Sequence, residues 1–129
     1  MKLRELIKVK DSLTNFANIR LSSAQDNYNV FKLYKQAEDE ITNYNAQRDK
    51  IIIEYGEKDS EGNVSVQQNN PNFDKVIQAI VELEDLDIKI KFEKISVKSS
   101  ELNLSAVDIF NLENFGLIEI NKGRRLNGD

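Results

Sequence analysis

The stretch EYGEKDSEGNVSVQQ, residues 54–68, comes closest in this 129-residue chain to a metal-binding pattern. Counted from Glu57, acidic or amide side chains fall at positions 1, 3, 5 and 7, with glycine at 6, as in an EF-hand calcium loop. Such a loop converges alternate oxygens on one cation, and a bidentate Glu at position 12 closes the shell between two flanking helices. Here position 12 is Gln68, a neutral amide that cannot give bidentate carboxylate ligation. Gly56 stops the incoming helix just before the loop, and residues 67–71 open no outgoing one. The stretch therefore reads as a helix stop followed by a turn on Glu61-Gly62-Asn63 that leads into Val64-Ser65-Val66. Glycine and asparagine belong there because they tolerate positive φ. No metal is expected.

Two other constellations have chemistry to offer. Glu82, Glu84, Asp85 and Asp87 form the densest acidic cluster. Paired carboxylates do acid–base work or hold magnesium where a cavity shifts their pKa values, but at a helix end running into a strand they read as a solvated rim. Lys2, Arg4, Lys8, Lys10 and Arg20, with Lys122, Arg124 and Arg125 as a docking arm near the other end, have the charge to track phosphates. No nucleic-acid motif accompanies them, and 22 acids outnumber 18 Lys and Arg. Cys, His and Trp are absent, which removes thiol nucleophiles, disulfides, the commonest general base and most zinc or iron ligand sets. The expectation is a chain with no enzymatic activity, no cofactor, no small-molecule substrate and no nucleic-acid partner.

The elements that would position these groups form one α+β domain over residues 1–120, with a flexible tail at 121–129. Hydrophobic content of 40% and charged content of 31% stay outside the disorder regime. No apolar run approaches the ~20 residues of a membrane span, and the first residues lead into no signal-peptide segment, so a soluble chain without a membrane partner is expected. Charge is polarised along the chain. Residues 1–36 carry seven Lys and Arg against three acids, and residues 37–87 carry four against thirteen. Such asymmetry either orients the domain against partners, lets a basic end meet an acidic one in an assembly, or marks solvated faces of opposite bias.

Residues 3–19 repeat apolar side chains at helical intervals, with a break at Asp11-Ser12. After a short connection capped by Ser22 or Ser23, a helix over 24–55 places Ala24, Tyr28, Phe31, Tyr34, Ala37, Ile41, Tyr44, Arg48, Ile51 and Tyr55 at steps of three or four. That stripe resembles a coiled-coil seam, the other form expected being a long antiparallel helical hairpin. Gly56 is expected in the left-handed conformation that ends helices. A helix of this length spans roughly 48 Å, more than the ~36 Å diameter of a compact domain of this size. It should overhang its own domain, and its stripe should seek either the first helix or another chain. Tyr28, Phe31, Tyr34 and Tyr44 are the candidate contacts. Arg48 interrupts the stripe, either snorkelling over apolar surface or setting register with a partner.

Beyond the loop, Asn72 is placed to cap a helix over 73–84 whose apolar face is Phe73, Val76, Ile77, Ile80 and Val81. Leu86, Ile88, Ile90 and Phe92 then alternate with charged residues as in a half-buried strand. Ile95 and Val97 continue out of phase after a bulge or bend at Glu93-Lys94. A short helix opens at Ser105-Ala106-Val107-Asp108 and runs to Asn114, Gly116 ends it, and Leu117, Ile118 and Ile120 can pair as a last strand; a small antiparallel sheet and short helices are expected beside the long helix.

The segment ITNYNAQRDKIIIEYGEKDSEGNVSV, with the later FEKISVKSSELNLSAVDIFNLENFGLIE, resembles an uncharacterised family of small tailed-bacteriophage proteins over roughly residues 24–120. The shared features are a long helix, its R-x-x-x-I-x-E-Y-G-like end and an acidic D-x-x-G-N turn; the first helix matches poorly. The family lends no catalytic residues. The resemblance implies a phage protein in the cytoplasm of the infected bacterial host, either a virion or assembly component or a modulator of host machinery. Its expected partners are copies of itself, virion proteins or a host protein, and Arg124 and Arg125 join the candidate contacts.

Overall fold

A computed structural model describes residues 1–121. Its elements run α1 (Leu3–Ala17), α2 (Ala24–Tyr55), β1 (Glu57–Lys58), β2 (Val64–Ser65), α3 (Phe73–Glu84), β3 (Ile95–Lys98), a single 3-10 turn (Ser99–Glu101), α4 (Ala106–Asn114) and β4 (Ile118–Asn121). The fold is α+β, with four helices, one of them 32 residues long, and two separate two-stranded sheets.

Capping chemistry sets most boundaries. At the start of α1, the Lys2 backbone N–H donates to Glu5 Oε1 at 2.7 Å. The Ser23 hydroxyl accepts from the Asp26 N–H at the start of α2, and Ser105 accepts from Asp108 at the start of α4. Each bond satisfies a donor that has no partner within its helix. Gly116, at φ +74°, turns the chain from α4 into β4. Asn72 occupies the cap position of α3 but its side chain makes no capping bond. Its own N–H donates instead to Asn70 Oδ1.

The core lies between α1, α2, α4 and the β3–β4 pair. Leu6, Val9, Leu13 and Phe16 of α1 are fully buried and meet Val30, Leu33, Ala37, Ile41 and Tyr44 of α2. From α4 and the strands come Leu112, Leu117, Ile95, Val97 and Ile118. The expected break in α1 at Asp11-Ser12 is not there. Ser12 is buried to 3% exposure inside an unbroken helix, because its hydroxyl donates to Asp108 Oδ1 at 2.8 Å and accepts from Asn111 Nδ2.

Both sheets are minimal and differ in sense. β1 and β2 form an antiparallel hairpin pairing Glu57 with Ser65 and Lys58 with Val64. β3 and β4 are parallel, in register from Ile95–Ile118 to Lys98–Asn121. The expected small antiparallel sheet is the β1–β2 pair, and the expected last strand is present in the second, parallel pair. With α4 as the intervening element, β3 and β4 are joined by a crossover rather than a hairpin, and a crossover delivers parallel strands.

The alternating segment 86–92 is not a strand. It forms one bridge, Lys2 with Asp87, and otherwise runs extended and unpaired. Its backbone finds partners elsewhere. Leu86 C=O accepts from the Leu3 N–H, Ile88 N–H donates to Met1 C=O, and Gln36 clamps Lys91 from both sides. The Gln36 amide accepts from the Lys91 N–H at 2.7 Å and donates to its C=O at 2.6 Å. A side-chain amide thus supplies the pair of bonds that a neighbouring strand would supply.

Candidate interaction surfaces

Helix α2 positions both surfaces of interest. At 100° per residue, each step of three falls about 60° behind a full turn. Counted back from Ala37, the steps to Tyr34, Phe31 and Tyr28 therefore drift to the opposite side of the helix. Val30 and Leu33 hold the core-facing positions. The expected seam is correct from Ala37 to Tyr44 and wrong before it: Tyr28 is 59% exposed and Phe31 is 55% exposed.

This outward face is cationic as well as aromatic. The Lys32 ammonium lies 5.2 Å from the centroid of the Tyr28 ring, a cation–π contact. Beside it, Gln25, Asn29, Lys32, Lys91, Phe92 and Glu93 enclose a shallow groove of about 450 Å³ between α2 and the clamped segment. Phe92 remains partly exposed. Tyr34 is half-buried, and its hydroxyl donates to Glu38 Oε2, which also receives an ion pair from Lys35 at 2.8 Å through its other oxygen. Those two bonds, from Lys35 first and then Tyr34, hold the Glu38 carboxyl below the usual carboxylate range.

Tyr44 does not serve as a free contact. It is 8% exposed, and its hydroxyl donates to Glu84 Oε2 at 2.5 Å. Burial, with help from Glu84, pushes its phenol up to about 12. Tyr44 and Glu84 thus fasten the end of α3 back onto the middle of α2. Arg48 is exposed and lies one turn further along α2. Arg124 and Arg125 lie outside the described residues.

Arg48 lines the larger groove. Between the last turns of α2, the β1–β2 hairpin and α3 lies an open cleft of about 670 Å³, walled by Ile52, Val64, Val66, Phe73, Val76 and Ile80. Ile53 and Ile77 stand at its edges, 64% and 46% exposed, and Asp49 joins Arg48 on the polar side. Sequence reasoning passed over Ile53, although a signal existed. Three consecutive isoleucines, Ile51-Ile52-Ile53, span 200° of a helix, so one of them must leave a single buried stripe.

The Glu57–Asn63 stretch is a turn held by its own acid. Asp59 Oδ1 accepts from the Glu61 and Asn63 N–H groups at 2.8 and 2.9 Å, and Gly62 takes φ +87°. These two backbone donors, Asn63 first, lower the Asp59 pKa. The carboxylate placed third in the calcium pattern is thereby turned inward onto the loop. Asn70 bridges the hairpin to the helix end, donating to Tyr55 C=O and to Glu57 Oε2. Gly56 is not left-handed: it has φ −86° and ψ 171°. It is required by space, since a Cβ there would collide with the Ile52 carbonyl oxygen and the Val64 side chain.

The acidic cluster at the end of α3 is dispersed among separate partners. Glu82 accepts from Gln78, Glu84 from Tyr44, and Asp85 pairs with Lys2 at 3.1 Å and Arg4 at 2.9 Å. Lys2 first, then Arg4, depresses the Asp85 pKa. Among the described residues, no group of three or more acids is placed to share a cation, and no helix is long and apolar enough to cross a membrane.

The chain shows no significant match to any family model, curated protein or solved structure.

Proposed function

We propose that this chain acts without catalysis, by holding other protein chains, as a small structural or assembly component of a tailed phage. The observation that carries the binding role is the apolar groove at the far end of α2, where Ile53 is 64% exposed beside a cleft of about 670 Å³. An open cleft with apolar walls and a polar side at Arg48 and Asp49 suits a partner's side chains. The phage setting draws on the resemblance of ITNYNAQRDKIIIEYGEKDSEGNVSV, and places the protein in the infected host's cytoplasm, free or incorporated in the particle. Mass spectrometry of purified particles tests the reading. Stoichiometric recovery of the chain with the particles supports it, and recovery only in the lysate fraction sinks the virion role.

A second reading is an inhibitor that binds a host or defence enzyme. It is favoured by the excess of acids along the chain from 48 to 84, eight against four Lys and Arg. An inhibitor is absent from particles and comes down from host lysate with one enzyme, whose activity falls as the complex forms.

A further inference from the structure

We propose that the polar groove between α2 and the clamped segment binds a free nucleotide, its phosphate held between Lys32 and Lys91 and its base laid against Phe92. The inference goes beyond the protein-binding role and does not depend on it.

Gln25, Asn29, Lys32 and Gln36 follow one another at steps of four, three and four, so they form one polar stripe along α2. The extended segment reaches that stripe, and the two Gln36 bonds to the Lys91 backbone pin it there. Lys91, Phe92 and Glu93 complete the groove from the other side. Two ammonium groups thus line one space from different elements, and neither forms an ion pair among the described residues. On a chain whose 22 acids outnumber 18 Lys and Arg, this lining runs the other way, two Lys to one Glu. The groups lie far apart in the chain, so the sequence read alone expects no small-molecule ligand.

These groups select the ligand. A carboxylate is matched by a single cation, whereas a phosphate monoester carries about two negative charges at neutral pH and suits a pair. Aromatic surface stands beside the cations. Phe92 is partly exposed in the groove, and the Lys32 ammonium lies over the exposed Tyr28 ring. A nucleobase stacks on such a ring whatever its identity. Polar groups for its edge are at hand. Gln25 Nε2 donates to Asn29 Oδ1 at 2.9 Å, which leaves Asn29 Nδ2 as a donor and Gln25 Oε1 as an acceptor. The Glu93 carboxylate can accept from ribose hydroxyls. The volume of about 450 Å³ lies within the range of small-ligand sites.

Amide chemical-shift titrations with adenosine monophosphate test the site. Saturable shifts centred on Lys91 and Phe92 are expected, with a dissociation constant of about 0.1–1 mM that rises in high salt. Adenosine lacks the phosphate and inorganic phosphate lacks the base, so each should bind at least about tenfold more weakly. Lys32→Met and Lys91→Met should each weaken adenosine monophosphate about tenfold, and Phe92→Ala should do so by about the same factor. All three side chains are exposed, so thermal melts should match wild type. If Phe92→Ala disturbs the fold, Phe92→Leu, which keeps apolar bulk and removes the stacking face, carries the same test.

A titration with no saturation up to about 10 mM overturns the site. Equal responses to adenosine monophosphate and inorganic phosphate overturn it too, since they mean an adventitious ion only, and so does binding that Lys91→Met leaves untouched. Single-stranded polydeoxyadenylate that binds more than about tenfold tighter per site than adenosine monophosphate overturns the free nucleotide in favour of a nucleic-acid chain. None of these results touches whether the chain copurifies with phage particles, so the two readings fail separately.

Discussion

Asp108 ties α4 to α1 through both of its carboxylate oxygens. Its two oxygens accept from Ser12 and Asn15, and its own N–H donates to Ser105. Burial raises its pKa, but the bonds from Asn15, Ser12 and Ser105 together outweigh it and leave the pKa lowered. Asp108→Ala would strand the Ser12 hydroxyl, which is 3% exposed, so a loss of about 2 kcal/mol is expected, read as a drop in thermal midpoint. Asp108→Asn, which keeps one acceptor oxygen, should recover part of that loss. Tyr44 gives the opposite sign. Its folded pKa, raised from 10.0 to about 12, means that the unfolded chain releases the phenolic proton first. The contribution is complete below pH 10 and disappears as pH climbs to about 12. Tyr44→Phe should therefore lose less stability than wild type over that alkaline interval, as followed by denaturant midpoints. Neither residue announced its role in the sequence. Asp108 was visible as a capping-box member and Tyr44 as a stripe position, but the partners that define them lie 96 and 40 residues away.

At the scale of elements, local rules located the pieces better than they oriented them. The ends of α2 and α3 and the whole of α4 fall where serine caps, glycine stops and apolar periods place them. The segment 86–92 shows where such rules run out. Period-two alternation says only that successive side chains see different surroundings, and a helix can supply one of those surroundings as well as a sheet can. Here Gln36 of α2 bonds Lys91, while Leu3 and Met1 at the start of the chain bond Leu86 and Ile88. Gln36→Ala should speed hydrogen exchange at the Lys91 amide by about tenfold, for a loss of about 1 kcal/mol in local protection. Gly56 shows a residue legible for the wrong reason. Its place at the helix end was evident, but a negative φ removes the conformational argument and leaves the close approach of Ile52 and Val64. Gly56→Ala is expected to cost about 1–3 kcal/mol by overpacking, whereas Gly62, with open space around its Cα, is sensitive only through its positive φ. Comparing the melts of Gly56→Ala and Gly62→Ala separates crowding from backbone strain.

For the whole molecule, the charge gradient along the chain is partly closed on itself. The basic start reaches the acidic middle through Lys2 and Arg4 on Asp85, while Asp59 and Asp108 are held by hydrogen bonds. Acid should reveal this division. Asp59, Asp85, Glu101 and Asp108 all have lowered pKa values in the folded chain. Between their unfolded and folded pKa values the unfolded state binds more protons, so stability is complete above the ordinary carboxylate range and declines as pH falls below about 5. The causes differ, and so should the response to salt. Asp85, 49% exposed, depends on two cations that salt screens, whereas Asp59 and Asp108 depend chiefly on short hydrogen bonds that salt leaves in place. Thermal midpoints measured from pH 7 to 3 should therefore fall along an acid limb that added salt makes only slightly shallower. Asp85→Asn should abolish most of the salt sensitivity of that limb and little of its depth, while Asp108→Ala should do the reverse. An acid limb erased by salt would show instead that long-range charge, rather than the Asp59 turn and the Asp108 tie, holds the fold against protons.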